Sequence, residues 1–129
     1  MYQRIANNAI LVKDYDEAIE FYTQKLNFDL LEDTQLNPTK RWVRVCPKGG
    51  QGCCLLLAEA STERQKTAIG NQSGGRVFLF LHTDDFDRDY QNLRDHNIKI
   101  VRKAMVEPYG KVAVFEDLYG NRWDLVEPA

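Results

Sequence analysis

Asp124 is the residue best placed to do chemistry in this chain of 129 residues. It sits between Trp123 and Leu125 in the run Arg122–Glu127. A carboxylate among apolar neighbours can bind a cationic or hydroxylated ligand, or act as a base once burial raises its pKa. It can equally serve structure by pairing with Arg122 or Arg44 across a sheet. His82 is the second candidate. It closes the apolar run Val77–Leu81 and shares strand parity with Phe78 and Phe80, on a face where Asp124 or Glu116 can meet it. The bland alternative is a hydrogen-bonded histidine at a strand end. The other histidine, His96, ends a helical stretch, where its charge suits the dipole.

Three cysteines occur: Cys46, Cys53 and Cys54. An odd count in a chain without export features predicts reduced thiols, acting as small buried hydrophobes. Cys53 and Cys54 are strand neighbours that point to opposite faces, so they do not clasp one ion. Cys54 shares the side of Leu56, with no adjacent base to activate it. Trp42, Phe78, Phe80, Tyr109 and Phe115 supply aromatic surface, which can line a small-molecule pocket or fill a core. The run Gly49-Gly50-Gln51-Gly52 lacks the Lys-Ser/Thr of a phosphate cradle and precedes a strand, so it reads as a hairpin loop. No Gly-x-Ser-x-Gly elbow is present, and no serine–histidine–acid triad can be assembled.

Two series of elements must position these residues. Arg4–Val12 reads as a strand, and Asp14 caps a helix over about Tyr15–Leu26, with Asp14-x-x-Glu17 resembling a capping box. Asn27 is a left-handed stop. Phe28–Gln35, Arg41–Cys46 and Cys53–Ala58 follow as strands, and in the second of these Trp42, Arg44 and Cys46 share one face. The polar segment 60–76 is a linker, with a helical turn or two over Thr62–Ile69. The pattern then repeats. Val77–Thr83 is a strand, Asp85 caps a helix over about Phe86–His96, and Asn97 ends it. Ile98–Met105, Val112–Glu116 and Arg122–Glu127 are strands, the last two joined by a tight turn at Leu118–Asn121. The expectation is an α+β fold of two tandem β-α-β-β-β modules in a single domain over 1–129. Module 1 covers 1–59, the linker 60–76 and module 2 77–129. One helix covers one face of such a sheet. The other face, concave and partly apolar, must meet the second module, another chain or a ligand.

Composition narrows the partners. Net charge is -2 with both signs interspersed, so no basic stripe awaits nucleic acid. Apolar runs reach about five residues, far short of a membrane span. The start, Met1-Tyr2-Gln3-Arg4, has no signal-peptide core, so a cytoplasmic location is expected.

The doubled plan, Ile10-Leu11-Val12-Lys13-Asp14 with Phe21-Tyr22, Asp84-Asp85-Phe86, and Pro108-Tyr109-Gly110 leading into Phe115-Glu116-Asp117-Leu118-Tyr119-Gly120-Asn121, resembles the vicinal oxygen chelate superfamily. Its members include glyoxalase I, extradiol dioxygenases and bleomycin-resistance proteins. The resemblance covers nearly the whole chain. It implies paired modules with U-shaped sheets, usually in a homodimer, and a pocket in the cleft of each sheet. It also implies where metal-dependent members hold their ion. Those positions are Asn7 on the first strand, near Leu56 on the fourth, Phe78 on the fifth and Asp124 on the eighth. Leu and Phe offer no donor atom, so no metal and no other cofactor is expected here.

The first reading is therefore a metal-independent homodimer that binds a small organic molecule through Asn7, Trp42, Cys54, Leu56, Phe78, Phe80, Tyr109 and Asp124. The alternative is a lyase, isomerase or dioxygenase of the glyoxalase type, with a divalent metal on shifted ligands and with Asp124 and His82 as catalytic candidates. A third reading is a protein–protein module with a filled cleft.

Overall fold

In a computed structural model, which describes residues 1–49 and 52–129, the chain divides into two compact units, Met1–Ile69 and Gly70–Ala129. Each is a four-stranded mixed sheet with a helix on one face. The α+β class and the repeated β-α-β-β-β plan read from the sequence are those of the structure.

The first unit runs β1 (Asn7–Val12), α1 (Tyr15–Glu20), β2 (Asp29–Gln35), β3 (Arg41–Cys46), β4 (Cys54–Glu59) and α2 (Glu63–Ala68). Its sheet has the order β1-β4-β3-β2, with β1 and β4 parallel and the other pairs antiparallel. Asp14 caps α1 as its type dictates: its carboxylate accepts the Glu17 N–H at 2.8 Å. After Glu20 the helix widens into a π turn over Phe21–Lys25 and stops at Asn27, whose φ is 62°. Fully buried Tyr22 then packs its ring against Phe28, at 5.6 Å between centroids. Ile10, Val12, Val43, Val45, Leu55 and Leu57 form the buried layer of the sheet.

The second unit runs β5 (Val77–His82), α3 (Phe86–Asp95), β6 (Ile100–Glu107), β7 (Gly110–Glu116) and β8 (Arg122–Pro128). Its order, β5-β8-β7-β6, repeats the first sheet strand for strand. Asp85 caps α3 through the Arg88 N–H at 3.1 Å, and Asn97 stops it at φ 55°. The Glu127 carboxylate accepts the Phe86 N–H at 2.8 Å and ties the start of α3 to β8.

The β7–β8 turn is built on a buried acid. Asp117 Oδ1 accepts the backbone N–H groups of Tyr119 and Asn121, each at 2.9 Å, and its Oδ2 accepts the Asn121 amide at 2.8 Å. Gly120, at φ 94°, supplies the left-handed step between them. The hairpin-loop reading of 49–52 falls in part on Gly50 and Gln51, outside the described residues. Among the described residues no helix is long and apolar enough to cross a membrane.

One expectation fails here, and one alternative left open by the sequence is decided. Cys46 and Cys54 are not reduced thiols but are joined as a disulfide, leaving Cys53 as the free cysteine. The cause is register: β3 and β4 pair through Val45↔Leu55, which makes Cys46 and Cys54 the next opposed pair, with α-carbons 4.5 Å apart. Phe115 does not line the free face. It pairs with Trp123 and stacks on its ring at 5.9 Å, buried on the helix side with Ala113 and Leu125.

Candidate functional site

Each sheet has a second face, turned away from its helix, and the candidate residues are best followed row by row across it. In the first unit Asn7 pairs with Cys54, while Ala9, Leu56, Arg44 and Glu32 form one row over four strands. Trp42 precedes Arg44 by two residues and so shares its side, beside Thr34 of β2. Arg44 organises this face. Its Nε donates to Asn7 Oδ1 at 2.9 Å, one Nη to Glu32 Oε1 at 2.5 Å and the other Nη to Cys54 Sγ at 3.5 Å. The guanidinium is thus held on three sides. Asn7, Trp42, Cys54 and Leu56 fall on one face, as the strand alternation predicts, but Arg44 is the residue at its centre. A basic residue facing the same way as Trp42 and Cys46 was visible in the sequence as a signal; its partners were not.

In the second unit the matching row is Phe80, Asp124, Val114 and Arg102. His82 lies opposite Val126, two residues along from Phe80 on the same side. Phe78 departs from simple alternation. The register slips between Val77↔Arg122 and Leu79↔Trp123, so Phe78 is the extra residue of a bulge. Phe80 is 64% exposed, a large aromatic with no cover. Tyr109, also exposed, lies in the β6–β7 turn and away from the Asp124 row.

Asp124 makes neither of the ion pairs weighed for it. Arg122 turns to Glu116, with Nε–Oε2 at 3.8 Å, and Arg44 is occupied by Asn7 and Glu32. Asp124 Oδ1 is buried and has no hydrogen-bond partner among the described residues. Desolvation raises the carboxyl above the ordinary aspartate range, and the positive charges of Arg102 and His82 offset part of that rise. The result is a carboxyl that can accept a hydrogen bond when ionised and donate one when protonated. It stands next to an exposed aromatic ring.

The residues at the metal positions of the resembling family do not suit an ion. Leu56 and Phe78 have no donor atoms, and Asn7 is already bonded to Arg44. Among the described residues, no three His, Cys, Asp or Glu side chains gather where they could hold a metal ion.

Comparison with known proteins agrees with this architecture. The model of the Glyoxalase/Bleomycin resistance protein/Dioxygenase superfamily matches residues 4–125. An uncharacterized protein of Shewanella frigidimarina is 59% identical over 128 residues, covering 98% of this chain and 95% of its own. Among solved structures, UcmS2 superposes with a TM-score of 0.85 at 28% identity, covering 98% of this chain and 99% of its own. TnmS3, an antibiotic binding protein from Streptomyces sp. CB03234, has a TM-score of 0.81 at 29% identity, covering 99% of this chain and 98% of its own.

Proposed function

This chain belongs to the glyoxalase/bleomycin resistance protein/dioxygenase superfamily, and on that premise we propose that it binds a small, partly aromatic organic molecule without a metal. The observation that carries the reading is Asp124: a buried carboxyl oxygen with no partner, beside exposed Phe80 and in a row with Val114 and Arg102. A ring stacks on Phe80, and a hydroxyl or amine of the ligand satisfies Asp124. Leu56 and Phe78 stand where metal-dependent members need donors, which removes the metal from the reading. The likeness to TnmS3, described as an antibiotic binding protein, supports sequestration over turnover. The working form in this reading is a homodimer, as is usual in the family.

Two measurements test this. Calorimetric titration of chelator-free protein with Ni, Zn, Mn and Fe is expected to show no stoichiometric site; one of micromolar or better affinity refutes the reading. Fluorescence titration with a hydroxylated anthraquinone is expected to show saturable binding that Phe80→Ala and Asp124→Ala weaken. Equal binding by wild type and both variants places the ligand elsewhere.

The raised pKa of Asp124 favours one second reading, a lyase or isomerase with Asp124 as the proton acceptor and His82 on the same face. Turnover of hemithioacetals that is lost in Asp124→Ala and His82→Ala supports it; activity unchanged in both variants removes it.

A further inference from the structure

The Cys46–Cys54 pair has a polar setting that an inert core disulfide does not need. Both residues lie at the β3–β4 hairpin on the side of Arg44, and one Arg44 Nη donates to Cys54 Sγ at 3.5 Å. Two further donors of that guanidinium go to Asn7 and Glu32. Cys46 has a different neighbour: Asp29 lies opposite it in β2, with its carboxylate on Lys48 at 2.8 Å. The two sulfurs are therefore unequal. A cation is held against Cys54, and a carboxylate with its own lysine lies beside Cys46.

We propose that Cys46–Cys54 is a reversible thiol–disulfide switch in which Arg44 stabilises Cys54 as the leaving thiolate. In the reducing direction, one thiolate of a small dithiol attacks Cys46 Sγ. A mixed disulfide forms, the Cys46–Cys54 bond breaks, and its electron pair goes to Cys54 Sγ beside the guanidinium. The second thiol of the dithiol then closes on the first sulfur and expels Cys46 as a thiolate, which takes a proton from water. The protein gains two electrons and the reagent becomes a cyclic disulfide. The reverse steps reform the bond. A sulfur whose thiolate is stabilised leaves faster, which directs attack to Cys46. The charge of the face changes with the switch. In the oxidised form Arg44 faces Glu32 and a neutral sulfur; in the reduced form it faces Glu32 and a thiolate, so the face becomes one charge more negative.

The switch does not depend on the ligand proposed above, and its test reads sulfur chemistry alone. The full chain is equilibrated in buffers of stepped reduced-to-oxidised dithiothreitol ratio, trapped with iodoacetamide and weighed intact. The expected result is one label at the oxidised end, on Cys53, and three labels at the reduced end, in one two-electron transition. Three labels at every ratio overturn the proposal. Reaction of the oxidised chain with excess reduced glutathione, acid quenching and peptide mapping then locate the mixed disulfide. Glutathione on Cys46 is expected, and glutathione confined to Cys54 refutes the assignment of the leaving sulfur. In Arg44→Gln the thiolate absorbance of the reduced chain is expected to appear at higher pH than in the wild type, with Arg44→Lys intermediate. Unchanged thiolate titration in a folded Arg44→Gln chain removes Arg44 from the mechanism. The glutathione mapping needs no variant and decides the case if Arg44→Gln fails to fold.

Discussion

Replacing Asp124 by asparagine is expected to stabilise the protein at neutral pH. The ionised carboxylate is desolvated, and its buried Oδ1 has no partner among the described residues. An unsatisfied buried polar group costs about 1–3 kcal/mol, with a charged one at the upper end. The offset comes from Arg102 and His82. Arg102 sits two strands away, with Val114 between, so the backbones are about 10 Å apart at ~4.8 Å per strand. At that distance and an effective dielectric constant of about 20, the attraction is roughly 1.7 kcal/mol. Salt at physiological strength, with a Debye length of about 8 Å, reduces it to about 0.5 kcal/mol. Desolvation therefore wins, and removing the charge gains about 1 kcal/mol, or some 3–5 °C in Tm for a chain of this size.

The pH dependence gives the sign. The folded carboxyl binds its proton more tightly than the unfolded one, whose pKa is about 3.9. Below the unfolded value both states are protonated and Asp124 contributes nothing. As pH rises the unfolded state ionises first, stability falls, and the loss is complete once pH has passed the raised folded value. Urea denaturation of wild type and Asp124→Asn at about pH 4 and about pH 8 spans that window. The gain from Asn is expected to be small at the lower pH and near 1 kcal/mol at the higher one. A variant that is less stable at the higher pH refutes the reasoning, because the carboxylate would then be a satisfied group.

Three other perturbations separate the scaffold from the site. Asp117→Ala leaves two backbone N–H groups and the Asn121 amide without their acceptor, so a loss of about 2–4 kcal/mol is expected in chemical denaturation. Phe115→Ala empties a fully buried ring position against Trp123 and is expected to cost about 3–5 kcal/mol, and any Asp124 ligand should still bind to the folded fraction. Reduction of Cys46–Cys54 opens a loop of sequence separation 8, which caps the entropic loss near ~2.5 kcal/mol; a thermal melt with dithiothreitol should show a lower Tm but a folded chain.

Helices α1 and α3 were legible because their ends are local. Asp14 and Asp85 as caps and Asn27 and Asn97 as stops each act within a few residues, and the structure has all four in those roles. The faces of the strands were legible only where apolar and polar residues alternate. In β3 they do, and Trp42 and Arg44 were assigned to one side together with Cys46. In β7, Val112, Ala113, Val114 and Phe115 are apolar at both parities, so nothing in the run assigns Phe115 to the helix side; the pairing with Trp123 does. The slip at Phe78 is likewise a property of two strands together. The disulfide had a trace in the sequence, two cysteines flanking a glycine-rich loop, but pairing them requires the hairpin register, and counting cysteines points the other way.

The rows of the two sheets show why one scaffold can carry two different chemistries. Strand for strand, Ala9-Leu56-Arg44-Glu32 corresponds to Phe80-Asp124-Val114-Arg102. In the first sheet the opposite charges lie on adjacent strands, about 4.8 Å apart at the backbone, and Arg44 and Glu32 close into a direct ion pair. In the second sheet an uncharged valine separates the acid from the arginine. The spacing doubles, Arg102 turns along its own strand to Glu107 at 3.7 Å, and Asp124 keeps an unspent oxygen. Binding energy comes from polar groups that the fold leaves unsatisfied, because a ligand replaces water or nothing at such a group, whereas it must break existing bonds at Arg44. The duplicated backbone fixes where the side chains stand, and a single intervening residue decides which sheet keeps a group free for a ligand. That places the proposed recognition on the second sheet. It leaves the first, where Arg44 is already held by Asn7 and Glu32, to the proposed switch at Cys54, the partner of Arg44 whose charge would change with redox state.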